Sequence, residues 1–162
     1  MAIIGAFMLP HPPIIIPQVG HGEEMKIKKT IEAYLEIAKR IAELRPDTLI
    51  VSSPHTTIYA DYFHISPGER AYGDFKQFGA SNLSIEADYD TDFVQTLIDF
   101  VDRQKLPAGT LGERIKSLDH GTLIPLYFIN KFYTNYKLVR IGLSGLSTTE
   151  HYRFGKCIAE TA

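Results

Sequence analysis

Two histidines follow apolar, strand-like runs, His11 in AIIGAFMLPHPP and His55 in TLIVSSPH. Imidazole is the commonest side-chain ligand for a borderline divalent metal. In an open α/β sheet, ligands gather outside the carboxyl ends of the strands. Neighbouring parallel strands lie about 4.8 Å apart, so histidines that follow two such strands can converge on one ion despite a long separation in sequence. The alternative for each is a turn residue that hydrogen-bonds through one ring nitrogen. Equivalent placement at two strand ends favours the metal reading for the pair.

A third histidine, His120 in SLDHGT, follows an acid at the start of a helical pattern. Asp119 either orients this ring or caps the helix, and an imidazole here has the chemistry to exchange a proton with a substrate oxygen. The other candidates attract simpler readings. His21 in VGHGEE sits in solvent; His64 in DYFHISPG either lines a cleft with Tyr59 and Tyr62 or packs on the sheet; Glu150 and His151 open the last helix; Cys157 is a buried thiol. No G-x-S-x-G elbow, P-loop or H-E-x-x-H is present, and IGLSGLS lacks the G-x-G-x-x-G spacing of a dinucleotide turn.

The elements that must position these residues follow from hydrophobic period. Ala2–Met8 is a continuous apolar run and predicts a first strand buried on both faces. Apolar residues at helical spacing predict a helix over Glu23–Leu44, closed by Pro46, and Thr48–Ser53 predicts the second strand of a βαβ unit. Tyr59–Gly79, aromatic and glycine-rich, reads as an irregular but ordered excursion. Leu83–Tyr89 alternates like a half-buried strand, and a helix over Thr91–Gln104 follows with Thr91 as its cap. Thr122–Tyr133 predicts a buried helix with Pro125 in its first turn, Lys137–Leu143 a strand, and the last helix runs from a Thr148 or Thr149 cap to Ala162.

Composition narrows the function classes. The 162 residues suit one domain with a sizeable core. A formal charge of −2, with no basic run longer than KIKK, gives no support to nucleic acid or an anionic membrane as partner. One cysteine excludes an internal disulfide framework and a cysteine-based zinc cluster, and it suits a cytoplasmic setting. The N-terminal run lacks a basic leader and reads as a strand, not a signal peptide. No stretch has transmembrane length. The chain stops within a helical pattern, CIAETA, where an alternating α/β protein would go on to another strand. That ending predicts a chain truncated at its C-terminus.

Taken together, GAFMLPHPPIIIPQVG, LIVSSPHTTIYADYFHISPG, GDFKQFGA, SLDHGTLIPLYFIN and KLVRIGLSGL make the chain resemble the class III extradiol ring-cleavage dioxygenases. This is the LigB-like superfamily of the protocatechuate 4,5-dioxygenase β chain, and the look is closest to its Memo-like, AMMECR-associated branch. The resemblance implies a three-layer α/β/α fold with a mostly parallel central sheet, of which residues 1–162 are the N-terminal portion. It implies an Fe(II) ion, or another divalent metal, held by His11, His55 and a glutamate, with His120 as a further active-site histidine beside the substrate. The implied substrates are a small aromatic diol and O₂. An AMMECR-type domain in the same chain or operon, and a homo-oligomer, are compatible with it. Family members continue into a Ser-His acid/base and the ligating glutamate, and neither region lies in this sequence. The rival reading is a metal- or partner-binding protein of the Memo-like branch that keeps the scaffold without ring cleavage.

Overall fold

The computed structural model describes residues 2–162. A pair of parallel strands lies at its centre: β1 (Thr48–Ser53) runs beside β6 (Lys137–Gly142), in register from Thr48 opposite Lys137 to Ser53 opposite Gly142. Strand side chains alternate between faces, and here the two faces feed two separate cores. Leu49, Val51 and Leu138 join a cluster with Tyr34, Ala38, Leu123 and Leu126, whereas Ile50, Val139 and Ile141 join one with Phe93, Leu97, Val101 and Phe154. On the first face Arg140 interrupts the apolar pattern and is nonetheless 1 % exposed.

The helices divide between these cores. After the single turn α1 (Pro17–Gly20), α2 (Lys28–Leu44) buries Tyr34, Ala38 and Ile41 along one stripe and packs with α4 (His120–Ile129). On the other side α3 (Thr91–Arg103) packs with α5 (Thr148–Thr161). Three of the expected helix starts are corrected by side-chain caps. Asp90, not Thr91, accepts the Phe93 N–H, and Ser147, ahead of both threonines, accepts the Glu150 N–H. Asp119 accepts the Thr122 N–H and so draws His120 and Gly121 into the first turn of α4, which puts Pro125 beyond that turn. Glu23–Ile27, expected as α-helix, is a tighter 3-10 segment that meets α2 at Ile27.

One strand expectation is overturned. Ala2–Met8 forms no strand: among the described residues, 2–9 make no backbone–backbone hydrogen bond, and Ile3, Ile4, Phe7 and Met8 are exposed. Apolar composition records a preference for burial, but a strand also needs a neighbour to complete its ladder. The βαβ opening is therefore only its helix and second strand.

The excursion at Tyr59–Gly79 is more regular than its composition suggests. It holds β2 (Phe63–His64), parallel to β5 (Ala108–Gly109), and β3 (Arg70–Phe75), which forms an antiparallel hairpin with β4 (Ala80–Asp88). Among the described residues the ladders make three two-stranded sheets, two parallel and one antiparallel. The architecture is α/β, with helices packed around small mixed sheets. Isolated bridges join Ile65 and Tyr89 to β6 at Ile141 and Leu138.

Gly73 hides the β3 alternation. Ala71, Gly73 and Phe75 form its buried face, and a Cβ on Gly73 would lie 2.8 Å from both Cβ and O of Leu118. Such a contact forces backbone to move, as in other overpacked cores. Gly73→Ala should accordingly lower stability by about 1–3 kcal/mol, seen as a lower urea midpoint with an unchanged slope.

Candidate metal centre

His11, His55 and His120 come from three distant segments, and their ligating nitrogens all lie within 4.8 Å of one another. It is the only cluster of three or more His, Cys, Asp or Glu with metal-binding spacing among the described residues. The His11 and His55 Nε2 atoms are 2.9 Å apart. Ring centroids separate His55 and His120 by 3.9 Å, and His11 and His120 by 5.8 Å.

Each ring is aimed by a different device. His11 does not follow a strand; it sits in the proline-rich turn before a 3-10 segment, Pro13–Ile15, whose end is anchored by the fully buried Ile15 and Ile16. The carbonyl just before it, that of Pro10, accepts a hydrogen bond from the Tyr34 hydroxyl of α2, and Tyr34 stacks on Phe128 of α4 with centroids 4.5 Å apart. Burial pushes the Tyr34 phenol well above its ordinary range, so it remains a donor. His55 follows β1 as expected, and its backbone N–H donates to the Ser53 hydroxyl at 3.2 Å.

His120 is the first residue of α4, directly after the capping Asp119. The Asp119 carboxylate accepts from the Ser53 hydroxyl at 2.5 Å, from Thr122 and from the Arg140 guanidinium at 3.2 Å. Asp119 thus caps the helix and fixes the approach of β1; its carboxylate bonds Ser53, Thr122 and Arg140, and the His120 ring is not among its hydrogen-bond partners. Gly121 makes this approach possible, because a Cβ there would fall 2.3 Å from Ser53 Oγ and 3.1 Å from the His55 ring.

The donor set suits a cation. The His11 Nδ1 lies 3.3 Å from the Leu9 carbonyl, an arrangement that places the proton on Nδ1 and leaves the Nε2 lone pair facing His55. Two imidazole nitrogens at 2.9 Å repel unless a proton or a metal ion lies between them. At metal–nitrogen distances of about 2.0–2.1 Å, two ligands at a right angle would stand roughly 2.8–3.0 Å apart, which matches the observed spacing. Burial lowers the His120 pKa, the neighbouring His55 and His11 lower it further, and Asp119 opposes them. A neutral imidazole is the form able to accept a proton or bind a metal.

The other sequence candidates fall elsewhere. His64 is buried on β2 with its ring 5.9 Å from Tyr59, and His151 packs edge-on against Phe63. His21 is exposed, Glu150 pairs with Arg153, and Cys157 is buried. Sequence reasoning missed four contributors: Ser53, Tyr34, Arg140 and Phe78. Phe78, from the β3–β4 turn, meets His120 edge to face at 5.4 Å and so forms an aromatic wall beside the cluster. The polar Arg140 within an otherwise apolar strand was the one visible signal among these.

Comparison with known proteins identifies the family. Residues 5–162 match the family described as the catalytic LigB subunit of aromatic ring-opening dioxygenase, and the chain belongs to that family. Protein CA_C1420 of Clostridium acetobutylicum is 39% identical over 162 residues, covering 96% of this chain and 35% of that protein. The chain therefore spans about a third of the length of this curated relative. Among the described residues, no helix is long and apolar enough to cross a membrane.

The Asp119–Arg140 pair makes a prediction about acid stability. Burial works to raise the Asp119 pKa, but hydrogen bonds from Ser53 and Thr122 and the Arg140 charge outweigh it and hold the carboxyl below its ordinary value. A depressed folded-state pKa contributes stability above the unfolded value and loses it as pH falls through the folded one. Asp119→Asn should cost about 3–5 kcal/mol near neutral pH, because it leaves a buried guanidinium uncompensated. Urea unfolding of both proteins across the acid range should show the difference shrinking as pH drops below the ordinary carboxylate range.

Proposed function

We propose that this chain supplies the histidine face of a mononuclear Fe(II) site in an extradiol-type dioxygenase, with His11 and His55 as ligands and His120 as a further active-site histidine beside the substrate. The observation that carries the reading is the 2.9 Å approach of two imidazole nitrogens with a third histidine at their side. Family membership supplies the reaction class. When bound, such a metal supplies a Lewis-acidic template with positions open to a diol and to O₂.

The protein's own residues perform the remaining tasks. His11 and His55 present their ring nitrogens, and Tyr34 and Ser53 hold the turns that carry them. His120, whose pKa is lowered by burial and by its histidine neighbours, can hydrogen-bond a substrate hydroxyl or exchange a proton with it. Phe78 offers an aromatic edge against which a planar ring can lie. Helix pairs on both faces of β1–β6 support the three-layer fold of the superfamily. The Memo-like branch and an AMMECR-type partner domain extend this reading and rest on the sequence segments named above; a cytoplasmic setting extends it on the strength of the single cysteine.

The proposal is tested in the chain extended through the rest of the family domain. His11→Ala and His55→Ala should each abolish tight iron binding. His120→Ala should retain the metal while lowering turnover by about 10²–10⁴-fold. The measurements are iron content after anaerobic loading, and yellow ring-opened product after adding protocatechuate and oxygen. Iron lost from His120→Ala would make that residue a ligand instead; iron retained without turnover in the unmutated domain would favour the rival metal-binding role. Residues 1–162 alone should show no appreciable ring opening, and product formed at enzyme-like rates would overturn the requirement for further groups.

A further inference from the structure

The turn that carries His55 is fastened on both of its sides. Ser53 and Thr56 are buried, 1 % and 8 % exposed, while Pro54 and His55 between them are exposed. The Ser53 hydroxyl donates to Asp119 Oδ1 at 2.5 Å and accepts the His55 N–H at 3.2 Å. Beyond His55, the Thr56 hydroxyl accepts from Arg140 Nη2 at 3.1 Å. That same nitrogen donates to Asp119 Oδ2 at 3.2 Å. The two hydroxyls therefore end on the two halves of one buried ion pair, and a closed ring of polar contacts surrounds Pro54 and His55. The end of β6 leaves room for this arrangement: a Cβ on Gly142, which pairs with Ser53, would lie 3.3 Å from Thr56 Cγ2 and 3.1 Å from the Thr57 carbonyl oxygen.

We infer that Thr56 is a positioning residue for His55, the second of two fixed points without which the imidazole loses its bearing toward His11. His55 is exposed, so no surrounding core sets its ring. One fixed point, at Ser53, leaves a short turn free to pivot; a second, on the far side of His55, removes that freedom. Because Arg140 bonds Thr56 and Asp119 through one nitrogen, the place of His55 is referred to the cap of α4, where His120 begins. One guanidinium thus sets the bearing of two histidines of the cluster. Groups that orient metal ligands without touching the ion are typically worth about 10–100-fold in affinity. The effect on metal affinity rests on the metal site proposed above, whereas the effect on the place of His55 does not.

The test compares Thr56→Val, which keeps the shape and removes the hydroxyl, with Thr56→Ser, which keeps the hydroxyl, in the domain extended as above. Each is read by its Co(II) affinity, from the visible absorption of the bound ion, and by its metal-free crystal structure. Thr56→Val should bind Co(II) about 10–100-fold more weakly than the unaltered domain and show His55 Nε2 moved out of its 2.9 Å approach to His11. Thr56→Ser should match the unaltered domain in both. Tyr133→Phe, which removes a hydroxyl bonded to the Pro46 carbonyl just before β1, should lower stability and move neither readout. Unchanged Co(II) affinity or an unmoved His55 in Thr56→Val, or a serine variant as impaired as the valine, would overturn the inference. If the unaltered domain takes up no Co(II), the metal reading falls and the crystal structures decide the role of Thr56 on their own. If Thr56→Val does not fold, Thr56→Ala is read in its place.

Discussion

The buried ion pair between Arg140 and Asp119 is the interaction on which the centre depends. Its two side chains are 1 % and 9 % exposed, and stripping charges of water costs several kcal/mol per ion unless further hydrogen bonds satisfy them. Here they do. Asp119 also accepts from Ser53 and Thr122, and Arg140 also donates to Thr56 and the Ile115 carbonyl. Through these contacts one strand, β6, holds the end of β1, the start of α4 and the loop before it. An apolar pair could fill the same space, but it would not specify the direction of each element. The ion pair specifies direction, and direction is what converging imidazoles require.

The rest of the fold serves that convergence by opposing two independent cores across β1 and β6. The side with α2 and α4 carries the histidine cluster, its fully buried Ile15, Ile16 and Leu123 anchoring the segments next to His11 and His120. The side with α3 and α5 contributes no ligand and gives β6 a second packed face. His11 is thereby held from two directions, by the isoleucines that follow it and by the Tyr34 hydroxyl on the carbonyl before it. None of this requires His11 to follow a strand.

Residue type made the centre legible in the sequence, while the means of positioning stayed hidden. His11 and His55 were visible because proline-flanked histidines beside apolar runs have few other uses, and His120 because an acid precedes it. The strand expected before His11 was not formed, since hydropathy reports a tendency to bury and carries no information about a ladder partner. Gly73 concealed β3 in the opposite way, by leaving no side chain where the alternating pattern needed one. Asp119 looked like a choice between capping the helix and orienting the His120 ring; it caps, and its remaining lone pairs go to Ser53 and Arg140, not to the imidazole. Arg140, Tyr34 and Phe78 act across long sequence separations, and no local pattern announces such partners.

The composition of α4 has a consequence of its own. From Gly121 to Ile129, nearly every residue is buried, Tyr127 being the partly exposed exception. A helix with an apolar stripe is rotated into place by the boundary between its wet and dry sides; this one has almost no such boundary. Its angular setting must come from the first turn, where Asp119 fastens the backbone and Gly121 lets Ser53 approach. The two ends of the helix are thus under separate control: its body can drift among hydrophobic sequences at some cost in packing, while a few polar atoms at its entrance keep the compass bearing of His120.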